Sequence, residues 1–352
     1  MLHPVRFITA PVDYDQSRLV QHTKDYSSLV LVTDQNTEQL CKRHLDNTNV
    51  NYSHHLRLGA LTEKEKNMET VTQIWDYLLE NHIDRKAAVV VLGGGLLSDL
   101  TGYATSVYKR GLHLYLIPTT LLSMVDAALG GKNGINYQGL KNQMGTISPP
   151  REVLIDPDYL HTLPYGEIMS GTSEMLKHAL IARPDYFDRI IHALDSGKYM
   201  AYLPELIRTS VQIKLRVTQS DPRERGLRKI LNFGHTIGHA LESCLHQQGT
   251  PLTHGHAVAV GMMMALELSA MLTGMDAEEA KYFIHALRTH YPVPALSAAT
   301  MDCVVARMRH DKKNEGGQTR FVLLKAPGKP IWDVPVPVSV LNAVMDRYLI
   351  SS

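Results

Sequence analysis

Cysteine is scarce in this 352-residue chain, with only Cys41, Cys244 and Cys303, odd in number and far apart. Such a set fits a reducing cytosol and implies no disulfide framework. Net charge is close to nil, at +1, so nothing draws the chain to nucleic acid or to an anionic membrane surface. No window holds 18 uninterrupted apolar residues, which argues against a membrane span. The first six residues, Met1 to Arg6, lack a basic region followed by a long apolar run, so no secretory signal is expected and the chain is placed in the cytoplasm. Internal repeats and low-complexity segments are missing as well. What remains is the composition of an ordinary soluble globular protein, 44% apolar and 20% charged. The length suggests two domains. Histidine is plentiful, with eighteen copies, several of them clustered in the second half.

Residues 1–155 alternate short β-rich runs with helical ones. Segments 28–33, 87–92 and 114–117 read as buried strands, and 38–46 and 63–81 as helices. Strands alternating with helices imply a Rossmann-like, largely parallel sheet covered on both faces. From 156 to 352 the β-runs nearly vanish. Helical patterns cover 165–182, 184–195, 204–218, 227–243, 255–273 and 277–290, which makes this half a helical domain. A strand at 319–324 follows the turn 314–317. Pro330, Pro335 and Pro337 then mark an extended passage before a last helix at 339–349.

The segment 226–241 lacks proline and spaces its apolar residues as one helix does. Arg228, Asn232, His235 and His239 fall at i, i+4, i+7 and i+11, within roughly 60° of one another at about 100° per residue. Imidazoles at i and i+4 can grip one metal ion, or one can bind metal while the other meets a ligand. Thr236 stands where a zinc-protease helix needs Glu, which sets that class aside. Glu174 and Lys177, at i and i+3, read most simply as a surface ion pair. Glu174 and His178 could share a metal; so could Glu174, His235 and His254, a two-His, one-carboxylate set that suits zinc with an open, catalytic position.

In the first half, Gly93-Gly94-Gly95 follows a strand and opens a helix, with Asp99 close behind. Backbone N–H groups at such a start favour a pyrophosphate. Thr119 and Thr120 follow the next strand, then Asp126 and the Gly130-Gly131-Lys132 turn. Hydroxyls at a strand's C-terminal end stand where α/β sheets bind ligands. Lys141 and Asn142 form another glycine-bounded polar pair.

Together these elements resemble 3-dehydroquinate synthase, of the sugar phosphate cyclase superfamily. The matching stretches are 93–99, 108–111, 117–132, Lys141-Asn142, 174–177, 228–239 and His254-Gly255, all in the family's order. The resemblance implies an N-terminal NAD-binding α/β domain, a C-terminal helical metal-binding domain, and an active site between them. It implies that Glu174, His235 and His254 hold Zn2+ or Co2+, and it assigns His239 to the substrate. Gly94, Gly95, Asp99, Thr119, Thr120, Asp126 and Lys141 would line the NAD site. Asp34 and Asn36 match the adenosine side, and Glu63 and Lys66 the family's Glu-x-x-Lys, although Thr62 replaces the usual glycine. His256 stands where the family usually has Glu, which leaves open whether it also meets the metal's surroundings.

The substrate implied is 3-deoxy-arabino-heptulosonate 7-phosphate, closed to 3-dehydroquinate with loss of phosphate, a lyase reaction of the shikimate pathway. Arg228 and Lys214 would hold its carboxylate. Arg110, Asn142 and one of Lys312 and Lys313 would hold its phosphate. Lys132, Lys177, Asn232 and His239 would surround the reacting carbons, and His239 with Asn232 could relay protons. A homodimer is implied, with a small sugar-acid phosphate as partner and neither nucleic acid nor membrane. The rivals are another cyclase, whose substrate lacks the carboxylate, and a metal-dependent NAD polyol dehydrogenase, which would release NADH.

Overall fold

The structure, a computed structural model, describes residues 4–138, 140–309 and 319–349. It divides into two compact units, Met1–Ile168 and Met169–Ser352.

The first unit holds strands β1 (Val5–Phe7), β2 (Leu29–Thr33), β3 (His54–Arg57), β4 (Ala88–Gly93), β5 (His113–Pro118), β6 (Lys132–Tyr137), β7 (Leu140–Ile147) and β8 (Glu152–Ile155). Its helices are α1 (Arg18–Gln21), α2 (Gln35–Leu40), α3 (Lys42–Asp46), α4 (Met68–Glu80) and α5 (Gly95–Val107). Six strands form one sheet in the order β1-β8-β5-β4-β2-β3, every neighbouring pair parallel. The expected parallel α/β sheet is therefore present. The run 88–93 is buried throughout, as a central strand covered on both faces must be. Three sheet strands, β1, β3 and β8, were not anticipated. Each has only three or four residues, too few to set a period.

Caps correct the helix starts. Helix α4 begins at Met68, because Asn67 Oδ1 accepts from Thr70 N at 3.1 Å. The span 38–46 is two helices that meet at Cys41. The first starts at Gln35, because Asp34 Oδ1 accepts from Thr37 N at 2.8 Å. Strands β6 and β7, where the sequence pattern marks no element beyond the turn at Gly130-Gly131-Lys132, pair as an antiparallel hairpin.

Helix α6 (Tyr165–Ala182) leads into the second unit. There follow α7 (Pro184–Asp195), α8 (Tyr199–Ser220), α9 (His235–Gln247), α10 (His254–Leu272), α11 (Ala277–His290), α12 (Ala298–Arg309), β9 (Arg320–Ala326), β10 (Lys329–Pro335) and α13 (Val338–Met345). The expected helical character holds. Helix α8 starts before Pro204, near enough its beginning that only the first turn loses a bond. Helix α12 was not foreseen. The passage with the prolines pairs with β9 as β10; a two-stranded ribbon leaves edges where proline fits. The expected turn at 314–317 lies outside the described residues.

Helix α10 is long and apolar enough to cross a bilayer by length and composition, yet 72% of that span is buried inside the protein. It is the central helix of this unit, with Met262, Met263 and Met264 all buried. The cysteines depart from expectation. Cys244 of α9 is bonded to Cys303 of α12 across 59 residues, and only Cys41 is free. Linear spacing carried no sign that these two helices are neighbours.

Candidate functional site

Helix α6 presents Glu174, Lys177 and His178 to the interior of the second unit, at 0%, 1% and 0% exposure. The pair at i and i+3 is thus no surface pair: the Lys177 ammonium is bonded to Glu174 Oε2 in the core. Its other oxygen, Oε1, is buried without a hydrogen-bond donor. It lies 3.4 Å from His235 Nε2 and 3.6 Å from His254 Nε2. Donor atoms about 2.1 Å from a tetrahedral zinc lie roughly 3.4 Å from one another, so each imidazole nitrogen stands from Oε1 at the spacing a shared ion needs.

The two rings are turned to suit. His235 Nδ1 is 3.1 Å from the Phe233 carbonyl oxygen, and His254 Nδ1 is 3.1 Å from Glu242 Oε2. A proton on each Nδ1 leaves Nε2 of each ring, once deprotonated, with its lone pair toward Glu174. Two imidazoles and a carboxylate with an orphaned oxygen fit a divalent ion that keeps an open position. His239 is exposed at the edge of this cluster, its ring 5.0 Å from that of His235 and 5.4 Å from that of His254. His178 turns its Nδ1 to Ser210 Oγ at 2.7 Å. His256 lies at the start of α10, where its Nε2 donates to the Pro292 carbonyl at 2.7 Å.

Close backbone approach places His254. Gly255 N donates to Ser170 Oγ at 3.0 Å, and a Cβ on Gly255 would fall 2.1 Å from the Ser170 carbonyl oxygen. Only glycine lets the start of α10 lie against α6 here.

Burial pushes the Glu174 carboxyl up, but Lys177, His235 and His254 outweigh it and hold the group well below the ordinary carboxylate value. Burial and the Lys177 charge hold His235 well below the ordinary imidazole value. Burial also depresses His254, yet the carboxylates of Glu174 and Glu242 prevail and raise it to about 9. Without metal, the cluster thus holds an ionised Glu174, a neutral His235 and a charged His254.

The single helix expected over 226–241 is broken. Residues Leu227–Asn232 form a 3-10 helix, and α9 starts only at His235. Gly234 between them has φ 77°, and a Cβ there would fall 2.5 Å from Met262 Cγ and 2.9 Å from Met262 N. Packing against α10 imposes the break, and with it goes the common polar stripe. His235 and His239 remain one turn apart on α9. Arg228 is buried before the break, with Nη1 donating to the Pro222 carbonyl at 2.8 Å and its backbone N–H to Asp221 Oδ2 at 3.1 Å. Asn232 donates through Nδ2 to Glu224 Oε1 at 2.6 Å. Lys214 is buried on α8.

In the first unit the chain runs from β2 outward to β3, then returns to β4 and builds toward the opposite edge. The strand order reverses between β2 and β4, and the crevice at their C-terminal ends is where open α/β sheets take ligands. Asp34 and Asn36 follow β2. Gly94 and Gly95 follow β4 and open the thirteen-residue α5 with no side-chain cap, a start that suits a dinucleotide pyrophosphate. Thr119 and Thr120 follow β5, where Thr119 N donates to the Gly93 carbonyl at 3.1 Å. Asp126 lies in the π-turn Ser123–Ala127, a form frequent at functional sites.

Lys66, 5% exposed, donates to Asp99 Oδ2 at 2.5 Å and to Asn142 Oδ1 at 2.7 Å. Burial pushes the Asp99 carboxyl up and Lys66 opposes it. Asn136 ties Glu63 to this cluster: its Nδ2 donates to Glu63 Oε1 at 2.8 Å, and its Oδ1 accepts from Asn142 N at 2.9 Å. Asp99, Lys132 and Asn142 line a groove of about 500 Å³ along the hairpin. Lys141 and Arg110 stand exposed, Arg110 in the turn Tyr108–Arg110 at φ 68°. Lys312 and Lys313 lie outside the described residues.

Sequence reasoning missed Asn136 and Glu242. Asn136 carried no signal until the hairpin was seen. Glu242 did, since it is i+3 from His239 and i+7 from His235 on one helical face.

Residues 59–170 match the family model described as 3-dehydroquinate synthase N-terminal, and residues 171–314 the one described as 3-dehydroquinate synthase C-terminal. The 3-dehydroquinate synthase of Parabacteroides distasonis is 40% identical over 304 residues, 86% of each chain. Among solved structures, the 2-epi-5-epi-valiolone synthase of Streptomyces hygroscopicus subsp. jinggangensis 5008, with NAD+ and Zn2+ bound, superposes with a TM-score of 0.86 at 25% identity, covering 99% of this chain and 97% of that one. A 2-deoxy-scyllo-inosose synthase complexed with carbaglucose-6-phosphate, NAD+ and Co2+ shares the fold, with a TM-score of 0.83 at 24% identity over 97% and 96% of the two chains. Both halves of one family's pattern thus run in order through residues 59–314, and the chain belongs to the 3-dehydroquinate synthase family.

Proposed function

We propose that the chain converts 3-deoxy-arabino-heptulosonate 7-phosphate to 3-dehydroquinate and phosphate, with catalytic NAD and a divalent metal. The observation that carries the reading is Glu174 Oε1, buried without a donor and standing from His235 Nε2 and from His254 Nε2 at the spacing a shared ion needs. When bound, the metal would polarise a substrate hydroxyl while NAD takes and later returns a hydride. Glu174, His235 and His254 hold the ion, and Lys177 neutralises the carboxylate oxygen that the ion leaves. Gly94, Gly95, Asp99, Thr119, Thr120, Asp126, Lys141, Asp34, Asn36, Glu63 and Lys66 serve the cofactor. Arg228 and Lys214 hold the substrate carboxylate, Arg110 and Asn142 its phosphate, with one of Lys312 and Lys313. Lys132, Lys177 and Asn232 orient the ring carbons. His239, exposed at the edge of the cluster, accepts or returns a proton at an imidazole nitrogen. The working form in this proposal is a cytoplasmic homodimer without nucleic-acid or membrane partners.

Buried cations at Arg228 and Lys214 support a carboxylate-bearing substrate over the hexose and heptulose phosphates of other cyclases. The test is phosphate release from the heptulosonate phosphate with substoichiometric NAD. Full turnover without NADH build-up, abolished by chelator and restored by zinc, is the expected result. One NADH per phosphate would instead mean a dehydrogenase.

A further inference from the structure

The two histidines of the cluster are held by unlike groups. His235 leans on a neutral acceptor, the Phe233 carbonyl, and His254 on the carboxylate of Glu242. Glu242 is half-buried, its side chain 16% exposed. It follows His235 by two turns and His239 by about one on α9, so the three share the face turned to the start of α10. His254 is the first residue of α10, whose Thr253 cap accepts from His256 N. The positive end of that helix withdraws electron density from a ring placed there. A carboxylate on Nδ1 works against this: it fixes the ring's rotation and tautomer, and makes Nε2 a stronger donor than a carbonyl partner would.

We propose that Glu242 is a positioning residue of the metal centre, acting through His254 and touching neither ion nor substrate. The inference rests on the metal-centre reading above. Glu242 aims the His254 Nε2 lone pair at Glu174 and supplies a second negative charge behind the ligand set, in balance with the buried Lys177. Its loss therefore weakens metal capture before any turnover begins.

The experiment measures zinc affinity of the metal-free full chain by competition with a chromophoric chelator, without NAD or substrate. Glu242→Ala is expected to weaken zinc binding by about 10- to 100-fold, the usual effect of removing such a partner. Glu242→Gln keeps an acceptor for Nδ1 but no charge, and its affinity should fall between wild type and Glu242→Ala. That partial rescue separates positioning from a general loss of structure. Should Glu242→Ala not fold, Glu242→Gln decides alone: affinity equal to wild type overturns the proposal. If wild type holds no zinc, the metal-centre reading falls and Glu242 with it. If wild type holds zinc and Glu242→Ala holds it as tightly, only the present inference falls.

Discussion

Lys177 and Glu174 lie one turn apart on α6, and between them they divide a single carboxylate: one oxygen is bonded to the buried ammonium, the other faces His235 and His254. Removing the lysine leaves the buried anion without its bonded counter-charge and, among the described residues, with only the charged His254 near its other oxygen. Lys177→Met should cost the metal-free protein about 3–5 kcal/mol in urea unfolding. Added zinc should recover part of the loss, since the ion becomes the counter-charge. Equal stability of the variant and wild type without metal would mean that this carboxyl is not charged in the fold.

Metal and protons compete at His254. Its value of about 9 lies above the ordinary imidazole value near 6.5, so the metal-free ring stays charged through neutral pH. Zinc must displace that proton. Affinity should therefore climb about tenfold per pH unit between 7 and 9 and level off above, with about one proton released per zinc at pH 7.5. This group's share of stability in the metal-free protein runs the other way, complete below about 6.5 and lost as pH rises through about 9. Calorimetry in two buffers of different ionisation enthalpy counts the protons; a count of zero rejects the charged ring.

His235 and His239 carry different roles in the proposed site, although both belong with His254 to a group whose ligand atoms lie within 4.8 Å of one another. His235→Ala should lose zinc on dialysis, as metal analysis would show. His239→Ala should keep it while turning over about 100- to 10,000-fold more slowly, the usual share of a general acid–base. Equal zinc retention in the two variants would reject the assignment of ligands.

Much of this was legible before the structure. The parallel sheet follows from long buried runs such as 88–93, and α7 and α11 match their predicted bounds because their stripes are long and regular. Hidden features had causes outside any local window. The broken helix at Gly234 comes from the approach of Met262, and the burial of Glu174 with Lys177 from the packing of α6. The Cys244–Cys303 bond depends on two helices becoming neighbours. Short strands such as β1 and β8 are set by their partners in the sheet, not by their own residues.

Gly234 offers a direct check on the break before the ligand helix. Alanine there must adopt φ near 77° and also push against Met262. Backbone strain alone costs about 1–3 kcal/mol, and the clash adds to it. Gly234→Ala should unfold at lower urea and bind zinc more weakly, because His235 is the next residue. Wild-type stability in the variant would show that the junction can rearrange freely.

Arg228 tests how the substrate is read. The break at Gly234 uncouples it from α9, so its loss should not disturb His235 or His239. The guanidinium is buried, and its bond to the Pro222 carbonyl anchors one edge of the fork. We expect the guanidinium to meet the substrate carboxylate, where a planar fork serves better than an ammonium. Leaving that carboxylate unpaired and desolvated costs about 2–5 kcal/mol. Arg228→Ala should therefore lower kcat/KM for the heptulosonate phosphate by roughly 30- to 5,000-fold, at about 1.4 kcal/mol per decade. Arg228→Lys should fall between, with the charge kept and the fork lost. Zinc content should stay at the wild-type level in both. A carboxylate-free heptulose phosphate gives the complementary reading: it should be a poor substrate for wild type and lose little further in Arg228→Ala. Near-normal activity of Arg228→Ala, or equal turnover of the two sugars by wild type, would mean that the carboxylate is not recognised at this residue and that a different cyclase substrate fits the site.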